Sequence, residues 1–248
     1  MFKHYDFIKK QYEEYKNVKC IDINLITIFL KYIKIYLYYP FYYKNISLQN
    51  TKYVVSKIES TFKEISFINS DLFFSYLVKI KKELDNTIKM IKLYDPALSS
   101  IEEIVLSYPS FYAIFAYKVA HFFYVNNEKS LARIISELAH QKTGIDIHPG
   151  AVIGDYFFID HGTGLVIGET SLIGNYCKIY HGVTLGSKFN NDNVNKRHPT
   201  IEDNVTIYAN ATILGGNTII KKNSIIGTGV LIRNSVEENS IIKKRSDV

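Results

Sequence analysis

Tryptophan is absent, cysteine occurs only twice, and the first 143 residues contain no glycine: all 13 glycines fall between Gly144 and Gly229. Each shortage excludes something. Cys20 and Cys177 are too few for a disulfide framework or a cysteine-built zinc site, which fits a reducing cytoplasm. Long uncharged apolar runs are missing too. A membrane-spanning helix needs about 18 such residues, whereas Ile23–Leu30 runs into Lys31 and Lys34, and Ile104–Tyr117 contains Pro109. Met1–Lys10 is polar and no apolar segment with a small-residue cleavage site follows it, so no secretory signal is read there. Disorder is excluded by what is abundant, since 47% of the 248 residues are hydrophobic and can bury enough surface to offset their ordering entropy.

The formal charge of +6 is uneven. Residues before Gly144 carry 20 Lys and Arg against 14 Asp and Glu, and the remainder carries 10 against 10. The lysines of the first part are interleaved singly with Ile, Tyr and Glu and form no Arg-rich cluster. They read as a solvated helix face and not as a nucleic-acid surface.

The glycine-free part has helical periodicity. Over Ser70–Tyr94, Leu72, Leu77, Ile80, Leu84, Ile88 and Ile91 recur at three- and four-residue steps, with Ser70 as N-cap and a stop at Asp95-Pro96. Ser99 and Glu102 have capping-box spacing. Further helices are expected over Phe111–Tyr124 and Ser130–Lys142, the latter ended by Gly144, and over Phe2–Lys19 and Lys52–Ile68.

After Gly144 the period becomes six. Aliphatic residues recur at Ile147, Ile153, Ile159 and Leu165, again at Ile167, Ile173, Ile179 and Leu185, and again at Ile201, Ile207, Ile213, Ile219, Ile225 and Leu231. Ile, Leu and Val fill 30 of these last 105 residues, so chance would place about four on fourteen such positions. Small residues follow four places on, at Ala151, Ser171, Cys177, Val183 and Ala211 among others. This is the pattern of a parallel β-helix with three hexads per triangular coil. The expected organisation is therefore α+β: a helical domain over residues 1–143, then a β-helix over 144–248 with a polar excursion at 186–200. In this register His161 and His181 share one place in successive coils, two residues after their aliphatic corners, and should stack on one outer face. Arg197 and His198 sit in the excursion, where function tends to reside.

Several runs now carry a family resemblance: DIHPGAVIG (146–154), FIDHGTGLVIGET (158–170), GVTLG (182–186), KRHPTI (196–201) and NATILGG (210–216), with YDPALSS (94–100) and YPSFYAIFAYKVAHFFY (108–124) upstream. Over about residues 93–231 the chain resembles the serine O-acetyltransferases, members of the hexapeptide acyltransferase superfamily. The resemblance implies a left-handed parallel β-helix and transfer of acetyl from acetyl-CoA, as co-substrate, to the hydroxyl of L-serine in cysteine biosynthesis, with no permanently bound cofactor and no metal.

The chemistry asks for matching residues. Acetyl transfer to an alcohol needs a base for the hydroxyl proton, support for a tetrahedral oxyanion and a proton for the leaving thiolate. An imidazole such as His161 suits the first and last tasks, and the resemblance implies this role for it. It further implies that Asp146 orients His161, that Asp95 and Asp160 meet the serine ammonium, that Arg197 clamps its carboxylate and that His198 lines the reacting hydroxyl. Arg matches a carboxylate bidentately. Backbone near Gly186 and Ala209 is expected to receive the pantetheine arm. Cys177 lies in no nucleophile motif, which favours direct transfer over a covalent enzyme intermediate. His4, His121 and His140 read as solvated, His148 as a structural turn residue, and Glu169 as a turn carboxylate near enough to Asp160 to touch the site. His181 stands where the family pattern has glutamine.

Two rival readings share the fold. One is a hexapeptide acetyltransferase for a sugar or xenobiotic, which would not need Asp95, Asp160 and Arg197 together. The other is a zinc hydratase of the γ-carbonic anhydrase kind, which would need His161, His181 and His198 to converge on a metal. The resemblance also implies a homotrimer or hexamer with sites between subunits, feedback inhibition by L-cysteine, and pairing with O-acetylserine sulfhydrylase through a C-terminal tail ending in isoleucine. The last departs from this chain, which ends KKRSDV with Val248. Neither nucleic acid nor membrane is expected as a partner.

Overall fold

The computed structural model describes residues 2–15, 21–188 and 195–244. Cys20, residues 189–194 of the excursion and the closing residues 245–248 lie outside them, as does the side chain of His4. Seven α-helices come first: α1 (Phe2–Tyr15), α2 (Ile23–Leu37), α3 (Leu48–Ile65), α4 (Ser70–Tyr94), α5 (Ile101–Ser107), α6 (Pro109–Val125) and α7 (Lys129–Thr143). No helix among the described residues is long and apolar enough to cross a membrane.

Helix α4 has the expected span, but its cap is Asn69, whose side chain accepts from the Asp71 amide at 2.7 Å. The capping box before α5 likewise lies one residue later than expected: Ser100 accepts from the Glu103 amide, and Glu103 reaches back to the Ser99 amide at 3.0 Å. Pro109 starts α6 instead of interrupting it, because a first-turn position needs no backbone donor. Gly144, at φ +70°, ends α7 in the left-handed conformation. Phe29, Phe62, Phe73, Phe122 and Phe123 pack ring against ring in the helical core.

Fourteen short strands follow among the described residues, all paired in parallel in three sheets of five, four and five strands. The result is a left-handed parallel β-helix of about five turns. Its first face stacks Ile147, Ile167, Leu185, Ile213 and Ile232; the second stacks Ile153, Ile173, Ile201 and Ile220; the third stacks Ile159, Ile179, Ile207, Ile226 and Ile242. Ala151, Ser171, Cys177, Val183 and Ala211 are buried, as their small size suggested.

The expected register fails in the last hexads. Ile220, Ile226 and Ile232 are the inward residues, and Leu231 is 53% exposed. The turn at Gly215-Gly216, with Gly215 at φ +98°, holds one extra residue between the first and second faces. The helical part docks on the solenoid through polar contacts. Tyr117 donates to the Ala151 carbonyl at 2.8 Å, Asn86 to Asp155 at 2.7 Å, and His121 pairs with the Pro149 carbonyl at 2.8 Å. His121 is thus a half-buried docking residue and not a solvated one, because its face of α6 is covered by the first coil.

Candidate active site

Asp95, Asp160 and His161 line one cleft of about 610 Å³ between the helical part and the corner joining the third and first faces. Asp95 follows α4, whose continuation Pro96 prevents. One of its carboxylate oxygens accepts the Ala97 amide and the other the Tyr108 hydroxyl, each at 2.8 Å, which fixes the carboxylate against the opening. Asp160 ends a third-face strand. His161 follows in the turn at φ +55°, a conformation that costs an L-residue of order 1 kcal/mol. Its side chain is 78% exposed, with Nε2 3.8 Å from Asp160 Oδ1. The His181 ring meets it edge to face at 5.9 Å between centroids, as the register required.

Asp146, Arg197 and His198 line a second, smaller cleft with Arg133, His148 and Glu169. Within one chain, then, Asp146 does not orient His161. It starts the first face, and its carboxylate approaches Glu137 and His140 on α7. Those three residues place donor atoms within 4.8 Å of one another, the only such cluster among the described residues, and Glu137 is already paired with Arg133. His198 is separated from His161 and His181 in the same way, so three histidines do not converge on a metal within the chain.

The second cleft is tightly built. Arg197 binds Glu169 at 2.5 Å, and Glu169 also accepts from the Tyr124 hydroxyl at 2.7 Å. These partners, the tyrosine first, hold the Glu169 carboxyl below its usual range. Glu169 therefore serves Arg197 and does not reach Asp160, because the two carboxylates sit at opposite ends of the first face. His198 is 8% exposed and lies against Gly168, where a Cβ would fall 2.0 Å from its Cδ2. The Lys196 carbonyl lies equally close over Gly216, at 1.8 Å from a Cβ built there. Burial, reinforced by the Arg197 and Lys196 charges, pushes the His198 pKa down to about 4. The Lys196 ammonium donates to the carbonyls of Thr170 (2.7 Å), His198 and Pro199 (3.2 Å). It uses all three of its protons, and burial draws its pKa down to about 8.

Gly186 ends a first-face strand, and Ala209 lies in the row above His181. Burial pushes the Cys177 thiol up to about 12, which denies it the thiolate a nucleophile needs. Sequence reasoning did not single out Thr170, Lys196 or Tyr124. The GETS turn beside the KRHP run was the available signal.

A left-handed β-helix of hexapeptide coils, preceded by a helical domain that lends a carboxylate to a histidine-bearing corner, defines a hexapeptide-repeat protein of the acyltransferase type. No protein-family model matches the chain. A plasmid-encoded serine acetyltransferase of Synechococcus elongatus is 50% identical over 139 residues, which are 53% of this chain and 44% of that protein. That of Bacillus subtilis is 45% identical over 128 residues, 52% of this chain and 56% of that protein. The matches thus span about half the length of these curated relatives. Among solved structures, serine acetyltransferase isoform 3 of Entamoeba histolytica, in complex with cysteine, is 34% identical with a TM-score of 0.77, over 89% of this chain and 82% of that one. The serine acetyltransferase of Brucella abortus in complex with coenzyme A is 27% identical with a TM-score of 0.67, over 93% and 82%. The chain belongs to the serine acetyltransferase family.

Proposed function

We propose that this chain is a serine O-acetyltransferase, moving acetyl from acetyl-CoA directly to the hydroxyl of L-serine. The observation that carries the reading is the first cleft, where two carboxylates suited to an ammonium flank an exposed imidazole. His161 takes the serine hydroxyl proton as the oxygen attacks the thioester carbonyl carbon. The C–S bond then breaks, and the imidazolium returns its proton to the CoA thiolate. Asp95 and Asp160 meet the ammonium, Arg197 the carboxylate, and His198 the reacting hydroxyl. The pantetheine arm runs past Gly186 and Ala209.

The two clefts open at different corners of one triangular section, so no single chain brings Arg197 to Asp95. A second copy does this by setting the His198 corner of one chain against the His161 corner of the next, which also allows Asp146 of one copy to orient His161 of the other. Such an arrangement closes as a trimer, or as a hexamer if the helical parts pair as well. L-cysteine, with the same ammonium and carboxylate as serine, is a competing occupant and feedback inhibitor, and a solved relative is a complex with cysteine. The test is CoA release from acetyl-CoA with and without L-serine. Release that needs serine and is blocked by cysteine supports the reading; equal release with a sugar acceptor overturns it.

A further inference from the structure

The hydrogen bonds around Thr170 account for every polar function of its hydroxyl. Oγ1 accepts the backbone amides of Arg197 at 2.9 Å and His198 at 3.0 Å, which occupies both of its lone pairs. Its one proton is left to give, and His198 Nδ1 lies 3.0 Å away. The Thr170 backbone amide, which can only donate, points at the same Nδ1 from 3.1 Å. A ring nitrogen receiving two donors holds no proton of its own. In the neutral ring the proton must then sit on Nε2, for which the described residues provide no partner.

We propose that Thr170 is a positioning residue: its hydroxyl and amide lock the His198 imidazole as the Nε2–H tautomer, so that the cleft is given a fixed N–H donor and not a base. The inference rests on the functional reading above for its purpose, but not for its geometry. His198 is faced by Lys196, Arg197 and Arg133 on the positive side, by Glu169 and Asp146 on the negative side, and by His148. The net bias disfavours a second proton on the ring. An imidazole held this way cannot take a proton from the serine hydroxyl through Nδ1. It can donate from Nε2 to an oxygen that gains charge, which is the oxyanion support the reaction needs and no other assigned residue supplies. The Lys196 ammonium, bridging the carbonyls on both sides of the contact, keeps the loop seated on Thr170.

The tautomer can be read without turnover. In the full chain labelled with ¹⁵N-histidine, long-range proton–nitrogen correlation, with His198 assigned from its loss in His198→Gln, should show an unprotonated Nδ1 and a protonated Nε2 from pH 6 to 8. Thr170→Ser should keep that pattern and turn over at close to the parent rate. Thr170→Val keeps the branched shape and the amide but loses both the hydroxyl donor to Nδ1 and the oxygen that anchors the Arg197 and His198 amides, so the loop lifts His198 off the residue-170 amide; it should give mixed tautomers and an about tenfold lower kcat with little change in the KM for serine. A protonated Nδ1 in the unaltered chain overturns the proposal whatever the variants do, and so does a Thr170→Val spectrum identical to the parent. If Thr170→Val does not fold, the parent and Thr170→Ser spectra decide. A parent chain with the expected tautomer but no serine-dependent CoA release would leave this inference standing and the functional reading overturned.

Discussion

Replacing Gly168 by alanine changes one methyl group and should disable the site. Gly168 does not need positive φ, so its backbone tolerates alanine, and the three atoms nearest to the added methyl all belong to the His198 ring. The new Cβ would lie 2.0 Å from Cδ2 and 2.2 Å from Nε2. An ordinary contact is about 3.5 Å, so the ring must withdraw by about 1.5 Å. Its two bonds to Thr170, at 3.1 and 3.0 Å, do not survive a shift of that size. Overpacking of this kind costs about 1–3 kcal/mol of stability, and misplacing a group at the chemistry by about 1 Å can cost about a hundredfold in rate. Thermal unfolding by circular dichroism and serine-dependent CoA release, followed with a thiol reagent, measure the two effects. In a His198→Ala background the stability cost of Gly168→Ala should nearly vanish, because the clashing ring is gone. Turnover within threefold of the parent, or an undiminished stability cost in the double variant, would show that the His198 ring is not what the methyl group displaces.

Other expectations follow from the same contacts. The folded-state pKa of His198, about 4, lies below its ordinary value, so the unfolded chain binds the proton first as pH falls from about 6.5. His198 therefore costs the fold up to about 3 kcal/mol as pH drops from 6.5 to 4, and a melting series should show less acid sensitivity in His198→Gln than in the parent. Ile213, fully buried between Leu185 and Ile232, should lose about 2–5 kcal/mol as Ile213→Ala in urea titration, whereas Leu231→Ala, one residue off the inward row, should lose well under half of that. Asp95→Asn keeps the size of the side chain but not the charge offered to an ammonium; it should raise the KM for serine about tenfold or more and leave the KM for acetyl-CoA within about twofold, read from initial rates.

Much of the fold was legible because hexad corners and helix stripes are local patterns. The helix over Ser70–Tyr94 and the stack from Ile147 to Ile213 follow from spacing alone. The slip after Gly215 was not legible by counting, since Ile219-Ile220, Ile225-Ile226 and Leu231-Ile232 each offer an aliphatic residue in either register. Only the Gly215-Gly216 pair hinted at an added turn residue. The site was half legible. Asp95, Asp160 and His161 are far apart in sequence yet meet in one cleft, as the motifs implied. The separation of Asp146, Arg197 and His198 into another cleft depends on which corner of the triangle each turn occupies, and motif order does not encode that. Glu169 and Thr170 act through hydrogen bonds to a loop almost thirty residues on, which no local pattern reveals.

Completion of each site by a second copy of the chain can be tested directly in mixed assemblies. His161→Ala and Arg197→Ala, each inactive alone, are unfolded together at equal concentration, refolded and assayed for serine-dependent CoA release. If the two clefts combine across copies, random assembly pairs an intact His161 corner with an intact Arg197 corner in about one quarter of the sites, and about a quarter of the parent activity returns. If the mixture stays as inactive as its components, the site lies within one chain and no second copy completes it.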